Sequence, residues 1–206
     1  MHDCGRRTLG LLNEEYSPGR ETAAIETEPG GRPFFTGRHA DFSISHSRRM
    51  AAVTYWAEKK TETGLPFRTG CDIQYIKPLK NFGEIARRYF SPEEQDHIAA
   101  APGETAQLEN FYRIWVLKEC FLKARGLSVF DMKTAPSFAG PAGLCAETNV
   151  HLNFFLYELG EETAEKYVLA AAQESCHPDG PSPKIRWFSE LIPVRSIAVI
   201  RSLLYY

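Results

Sequence analysis

Residues 42–47 alternate between apolar and polar, with Phe42, Ile44 and His46 set against Ser43, Ser45 and Ser47, the period-two pattern of a strand. A Ser/Arg-rich turn follows, then the apolar-rich residues 51–56, so the two runs predict a hairpin. Residues 69–76 alternate again and predict a third strand, with Thr69, Cys71 and Ile73 on one face and Asp72 and Gln74 on the other. Beyond that point the period lengthens. Residues 82–89 have helical spacing, and Ser91-Pro92-Glu93-Glu94 reads as a helix start, with Ser91 as cap, Pro92 in the first position and Glu94 reaching back. After a break over 99–104, a long helix is predicted over 105–125. It stops at Gly126, a residue suited to the left-handed conformation that commonly ends helices.

The flanks are less regular. A short helix over 6–15 with Leu9, Leu11 and Leu12, a strand over 23–27, a turn at 28–31 and a polar connection over 59–66 are expected. Strands over 151–158 and 166–172, a loop over 178–184 and closing strands over 185–188 and 196–204 complete the chain. Two lobes of strands with helices, joined near residues 76–100, fit an α+β class.

Composition narrows the class without naming a function. A chain of 206 residues can bury one sizeable core or two small lobes, and 43% hydrophobic with 24% charged residues is ordinary for a globular protein. The net charge of −2 lacks the basic excess of a nucleic-acid-binding surface. No apolar run is long enough to span a bilayer, and the first residues lack a secretory signal. The five cysteines, Cys4, Cys71, Cys120, Cys145 and Cys176, are odd in number and contain no Cys-x-x-Cys pair. A disulfide scaffold and a structural zinc site are therefore not expected, Cys71 and Cys120 read as small buried residues, and the location reads as cytoplasmic.

Three stretches carry candidate chemistry. In the long helix, Trp115, Glu119 and Lys123 are spaced by four and form one stripe: an aromatic anchor, a carboxylate and an ammonium. In isolation that is also the pattern of a surface Glu–Lys pair beside a core Trp. Asp72 and Gln74 on one strand face can both offer oxygen to a hard cation such as Mg²⁺. The hairpin tip crowds hydroxyls, His46, Arg48 and Arg49 together, which suits a phosphorylated ligand.

In order and spacing these stretches resemble the Sfp-type 4′-phosphopantetheinyl transferases. The family's motifs read approximately F-N-I-S-H-S, G-[IV]-D-[IV]-E and W-x-x-K-E-[AS]-x-x-K-x-x-G. Here they stand as Phe42-Ser43-Ile44-Ser45-His46-Ser47, Gly70-Cys71-Asp72-Ile73-Gln74 and residues 115–126. Gly31-Arg32-Pro33-Phe34 resembles the family's G-K-P segment, and Tyr89-Phe90-Ser91-Pro92-Glu93-Glu94 its R-F-F-[ST]-x-x-E segment. The resemblance covers roughly residues 5–170.

The resemblance implies an α+β fold of two similar lobes related by pseudo-twofold symmetry, residues 1–90 and 91–206, with the ligand at their junction. It implies Mg²⁺-dependent transfer of the phosphopantetheine arm of coenzyme A to a serine of an acyl or peptidyl carrier protein, with 3′,5′-ADP leaving. Asp72, Gln74 and Glu119 would hold Mg²⁺. Glu119 is the candidate general base, ionised but weakened by a nearby cation. Lys123 would stabilise the transferring phosphate or protonate the leaving oxygen. Arg7, Thr8, Arg32, Ser45, His46 and Lys118 are the expected coenzyme contacts, and Arg32 stands where the family has lysine. Lys77, Lys80, Arg87 and Arg88 offer positive charge to an acidic carrier.

Two departures bear on activity. Gln74 replaces a family glutamate, removing one negative charge from the metal site. The sequence begins about seven residues before Thr8, where relatives carry a basic segment. That departure suggests weaker coenzyme affinity, a compensating group elsewhere such as Arg38 or Arg48, or an incomplete gene model. The expectation is an active monomeric transferase with no nucleic-acid or membrane partner. The competing readings are a relative that binds coenzyme A or a carrier without modifying it, and an unrelated Mg²⁺-dependent phosphoryl-transfer enzyme, against which the lack of a G-x-x-x-x-G-K-[ST] loop counts.

Overall fold

The computed structural model describes residues 2–19, 25–37, 40–57, 68–140, 143–144, 152–159, 165–174 and 202–203. Helix α1 (His2–Tyr16) is longer at both ends than its leucines predict, and it buries Leu9 and Leu12. Strands β1 (Ile25–Thr27) and β2 (Pro33–Phe35) pair antiparallel around a turn that Gly31 closes at φ 87°. Strands β3 (Ala40–Ser47) and β4 (Met50–Ala57) form the expected hairpin, its two-residue turn set by Arg48 at φ 50°. β5 (Thr69–Tyr75) carries the alternating faces expected of it.

Three helices follow. α2 is Phe82–Tyr89 and α3 is Pro92–Ala99, opened by the Ser91/Glu94 capping box with Pro92 in its first turn. α4 (Gly103–Arg125) starts two residues earlier than expected and ends as predicted, with Gly126 left-handed at φ 69°. A 3-10 turn over Val129–Thr134 leads to the two-residue pair β6 (Ala139–Gly140) and β7 (Gly143–Leu144). β8 (Leu152–Leu159), β9 (Tyr167–Glu174) and β10 (Ser202–Leu203) complete the described elements. The sequence gives no periodic signal for β2, β6, β7 or the 3-10 turn, which are too short to show one. The loop and strand expected over 178–188, Arg38, Cys145 and Cys176 lie outside the described residues. Among the described residues no helix is long and apolar enough to cross a membrane, and Cys4, Cys71 and Cys120 are free thiols.

The main sheet is antiparallel, in the order β10-β8-β9-β5, and α4 lies across one face. Small residues let the helix come close. Ala170 and Ala172 of β9 and Ala124 of α4 are buried in the same core, and a Cβ at Gly70 would collide with the Cys120 carbonyl oxygen. The opposite face carries Ile73, Phe155, Tyr157 and Tyr167, covered in part by Met50 and Ala52 of β4. This arrangement sends Gly70 and Asp72 toward α4 and Cys71 and Ile73 toward the hairpin.

The outer edge of β5 would present unpaired backbone N–H groups, and β3 meets them with side chains. Thr69 N donates to Asp41 Oδ2 at 2.7 Å, Ile73 N to Ser45 Oγ at 3.2 Å and Tyr75 N to Ser47 Oγ at 2.9 Å. The polar half of the β3 alternation is therefore the seam between hairpin and sheet.

A second polar contact is sealed in the core. Lys118 Nζ lies 3.1 Å from Glu94 Oε2, both side chains being almost wholly buried. Glu94 also accepts from Ser91 N at 2.8 Å and Phe138 N at 2.9 Å, so one carboxylate caps α3, pairs with α4 and anchors the chain entering β6. Burial pulls the Lys118 ammonium below its ordinary value, and Glu94 opposes that. Lys118→Met strands the carboxylate and is expected to cost about 3–5 kcal/mol in urea unfolding, whereas Glu94→Gln/Lys118→Met, with no buried charge left, recovers part of the loss.

Candidate active site

Asp72, on the α4-facing side of β5, is almost wholly buried and has no room to be solvated. Its Oδ1 accepts from Ser45 Oγ at 2.7 Å and from Lys123 Nζ at 2.6 Å, and its Oδ2 from Gln74 Nε2 at 3.1 Å. Lys123 Nζ also donates to Ser45 Oγ at 3.0 Å. One carboxylate thus gathers β3, β5 and the last turn of α4. Burial alone would lower the Lys123 pKa, but Asp72, with its charge and hydrogen bond, and Glu119 together raise it, so the ammonium stays charged.

Glu119 stands one turn before Lys123 on the same stripe, and Trp115, one turn earlier, is anchored against Phe111 at a centroid distance of 5.8 Å. The Glu119 carboxylate is half-buried, and among the described residues no hydrogen-bond donor engages it. Burial first, then the like charge of Asp72, push it above the usual carboxylate range, with Lys123 opposing. Two carboxylates set close enough for the charge of Asp72 to act on Glu119 are a donor set suited to a hard divalent cation. Gln74 spends an amide N–H on Asp72, which leaves its carbonyl oxygen as a third donor of the same hard type. Among the described residues no group of three or more His, Cys, Asp or Glu side chains is placed to hold a metal, so a cation here would depend on the amide.

Of the other expected site residues, the structure brings Ser45 to this cluster and leaves the rest apart. The Ser45 hydroxyl is already committed to Asp72, Lys123 and Ile73 N, so it organises the cluster. His46 is exposed at the hairpin end, on the opposite face of β3. Arg7 is exposed and Thr8 half-buried on α1, which covers the face of the hairpin away from β5 through Leu9, Phe42 and Ile44. Arg48 lies over the Tyr75 ring at 4.4 Å and pairs with Glu165 at 3.4 Å.

Two of the expected coenzyme contacts lie in the core. Lys118 is held there by the Glu94 carboxylate. Arg32 is buried as well. Its guanidinium is ion-paired with Asp41, donates to Phe42 O at 3.3 Å and Thr69 O at 3.0 Å, and also donates to the Lys123 carbonyl. The turn before it lies close to the end of α4, where Gly30, two residues before Arg32, packs against the Gly126 carbonyl. Asp41 is the residue that sequence reasoning missed. Its signal was present: it continues the polar face of Ser43, Ser45 and Ser47 by one more step of two.

Residues 68–172, which contain β5, α4 and most of β9, match the family model of the 4′-phosphopantetheinyl transferase superfamily. The 4′-phosphopantetheinyl transferase HetI of Nostoc sp. is 32% identical over 123 residues, covering 57% of this chain and 46% of that protein. The 4′-phosphopantetheinyl transferase AcpT of Salmonella typhimurium is 32% identical over 127 residues, covering 62% and 60%. The 4′-phosphopantetheinyl transferase Sfp of Bacillus subtilis is 28% identical over 131 residues, covering 60% and 53%. The match therefore spans about half the length of these curated relatives.

Glu119 generates a pH prediction. With its pKa raised by folding, the folded chain holds a proton on this group between the ordinary and the raised value. The stability it contributes is full below the ordinary value and is lost as pH rises through the raised one. Without divalent cations, Glu119→Gln is expected to be more stable than the wild type at neutral pH. The gain should vanish below the ordinary glutamate pKa of about 4.3, as read by urea unfolding across that range.

Proposed function

The chain belongs to the 4′-phosphopantetheinyl transferase superfamily, and we propose that it moves the phosphopantetheine arm of coenzyme A onto a serine of an acyl or peptidyl carrier protein, releasing 3′,5′-ADP. The observation that carries the proposal is the convergence of Asp72 from β5 with Glu119 and Lys123 from α4, each at the position of the family motif it matches.

Asp72, Glu119 and the Gln74 amide are the residues to hold Mg²⁺, which when bound would neutralise charge on the pyrophosphate of the coenzyme. Glu119 is the base for the serine proton. A cation bound beside it would keep it ionised and weaken it as a base, so positioning against the serine hydroxyl contributes more than proton affinity, and it has no competing donor among the described residues. Lys123 stabilises the charge of the transferring phosphate. Its raised pKa favours that role over protonating the leaving oxygen, since the ammonium gives up its proton reluctantly. Attack of the serine oxygen on the phosphorus forms one P–O bond as the bond to the 3′,5′-ADP oxygen breaks. The exposed His46 and the hairpin tip are the side offered to the coenzyme's phosphates, with Arg7 and Thr8 of α1 as further contacts.

We further propose the two-lobed arrangement, residues 1–90 and 91–206, with the site at the junction. β5 of the first lobe is hydrogen-bonded along its length to β9 of the second, and the two carboxylates come from opposite sides. Ser45, Asp72, Glu119 and Lys123 all come from one chain, which supports a monomer. Lys77, Lys80, Arg87 and Arg88 are exposed beside α2, among the described residues none has an ion-pair partner, and they suit an acidic carrier. Gln74, neutral where the family has glutamate, favours the second reading, a relative that binds coenzyme A or a carrier without modifying it.

Mass spectrometry of an apo carrier protein incubated with this chain, coenzyme A and Mg²⁺ separates the two. The transferase reading expects a gain of one phosphopantetheine mass, abolished by Glu119→Gln or by a chelator. Coenzyme binding without that gain, across fatty-acid, polyketide and nonribosomal-peptide carriers, selects the binding-protein reading.

A further inference from the structure

We propose that Arg32 is a positioning residue: its guanidinium, buried between β3, β5 and the last turn of α4, sets the backbone of Lys123 and through it the Lys123–Asp72 contact. One nitrogen donates to the Lys123 carbonyl. The other serves Asp41, Phe42 O and Thr69 O. The side chain is only 3% exposed, and its Nε has no partner. Burying a guanidinium with one N–H unpaired is costly, so its bonds must accomplish something that a surface arginine would not.

What they accomplish follows from where they end. Thr69 begins the strand that carries Asp72 three residues on, and Asp41, the second residue of its strand, stands four residues before Ser45. Lys123 supplies both the carbonyl that Arg32 holds and the ammonium that Asp72 and Ser45 hold. Each of the three elements meeting at Asp72 is therefore also tied to one guanidinium. The clasp is tightened from outside: Gly30 rests on the Gly126 carbonyl, and Arg68 pairs with Glu28 of the same turn at 3.2 Å. A planar fork with donors on both sides can bridge an α4 carbonyl and a β3 carboxylate at once. A lysine ammonium, a single point on a flexible stem, cannot keep both.

The proposal rests on the transferase reading for its kinetic consequence but not for its structural one, and the test uses both. In Arg32→Lys the charge facing Asp41 is kept and the tie to Lys123 is lost. Turnover of coenzyme A with an apo carrier is expected to fall roughly 10–100-fold, with the KM for coenzyme A within about twofold of wild type. In the ligand-free protein, the Gly126 and Leu127 amides, which bond to the Lys123 and Leu122 carbonyls, are expected to exchange hydrogen faster than in wild type. The variant Arg32→Gln/Asp41→Asn, which removes both buried charges together, is expected to behave alike and covers the case in which the lysine variant does not fold.

An increased KM with unchanged turnover would mean that Arg32 touches the coenzyme, and would overturn the proposal. So would unchanged exchange at Gly126 and Leu127 in whichever variant folds. A wild-type chain that transfers nothing defeats the transferase reading alone, because the exchange measurement still decides the clasp.

Discussion

The Lys123 ammonium lies 2.6 Å from Asp72 Oδ1 and 3.0 Å from Ser45 Oγ, and those two contacts hold a hairpin, a sheet edge and a helix end in one place. The packing around them is built to allow it. Gly70 lets α4 press against β5 at the Cys120 carbonyl, and Gly126 turns the chain immediately after the lysine. A β3 face of serines and aspartate replaces the backbone partners that β5 would otherwise lack. A charged pair at the surface contributes little, but one with a nearly inaccessible carboxylate must be fully hydrogen-bonded to be tolerated, and Asp72 meets that condition.

Charge burial recurs around this cluster, each time with a partner. Arg32 with Asp41 and Lys118 with Glu94 flank α4 on two sides, and each pair also satisfies backbone groups of neighbouring segments. Against that background Glu119 is the exception. Its carboxylate is half-buried, lies near the like charge of Asp72 and receives no donor among the described residues. Among the described residues the other buried charges are paired and this one is open, which is what a group reserved for a cation or a substrate proton requires.

Much of this was legible in the sequence, and the remainder was not for identifiable reasons. The stripe of Trp115, Glu119 and Lys123, the stop at Gly126 and the Ser91 capping box are local patterns, and they appear as expected. The pairing of Asp72 and Gln74 on one strand face follows from period two, and the hydrogen bond between them bears it out. The burial of Arg32 and Lys118 was not legible in the same way. An isolated arginine or lysine reads as solvent-facing or ligand-facing, and its burial is decided by a carboxylate elsewhere in the chain, Asp41 or Glu94, that no local window contains. The serines of β3 were visible as a polar face, but that they would pair with the edge of β5 depends on tertiary placement.

The central claim is that Asp72 and Glu119 form one cation site completed across β5 and α4. The measurement that tests it most directly is electron paramagnetic resonance of Mn²⁺, standing in for Mg²⁺, titrated into the purified chain with coenzyme A present. The account predicts one bound ion per chain in the wild type and none in Asp72→Asn or in Glu119→Gln. An ion held equally well by both variants would contradict it.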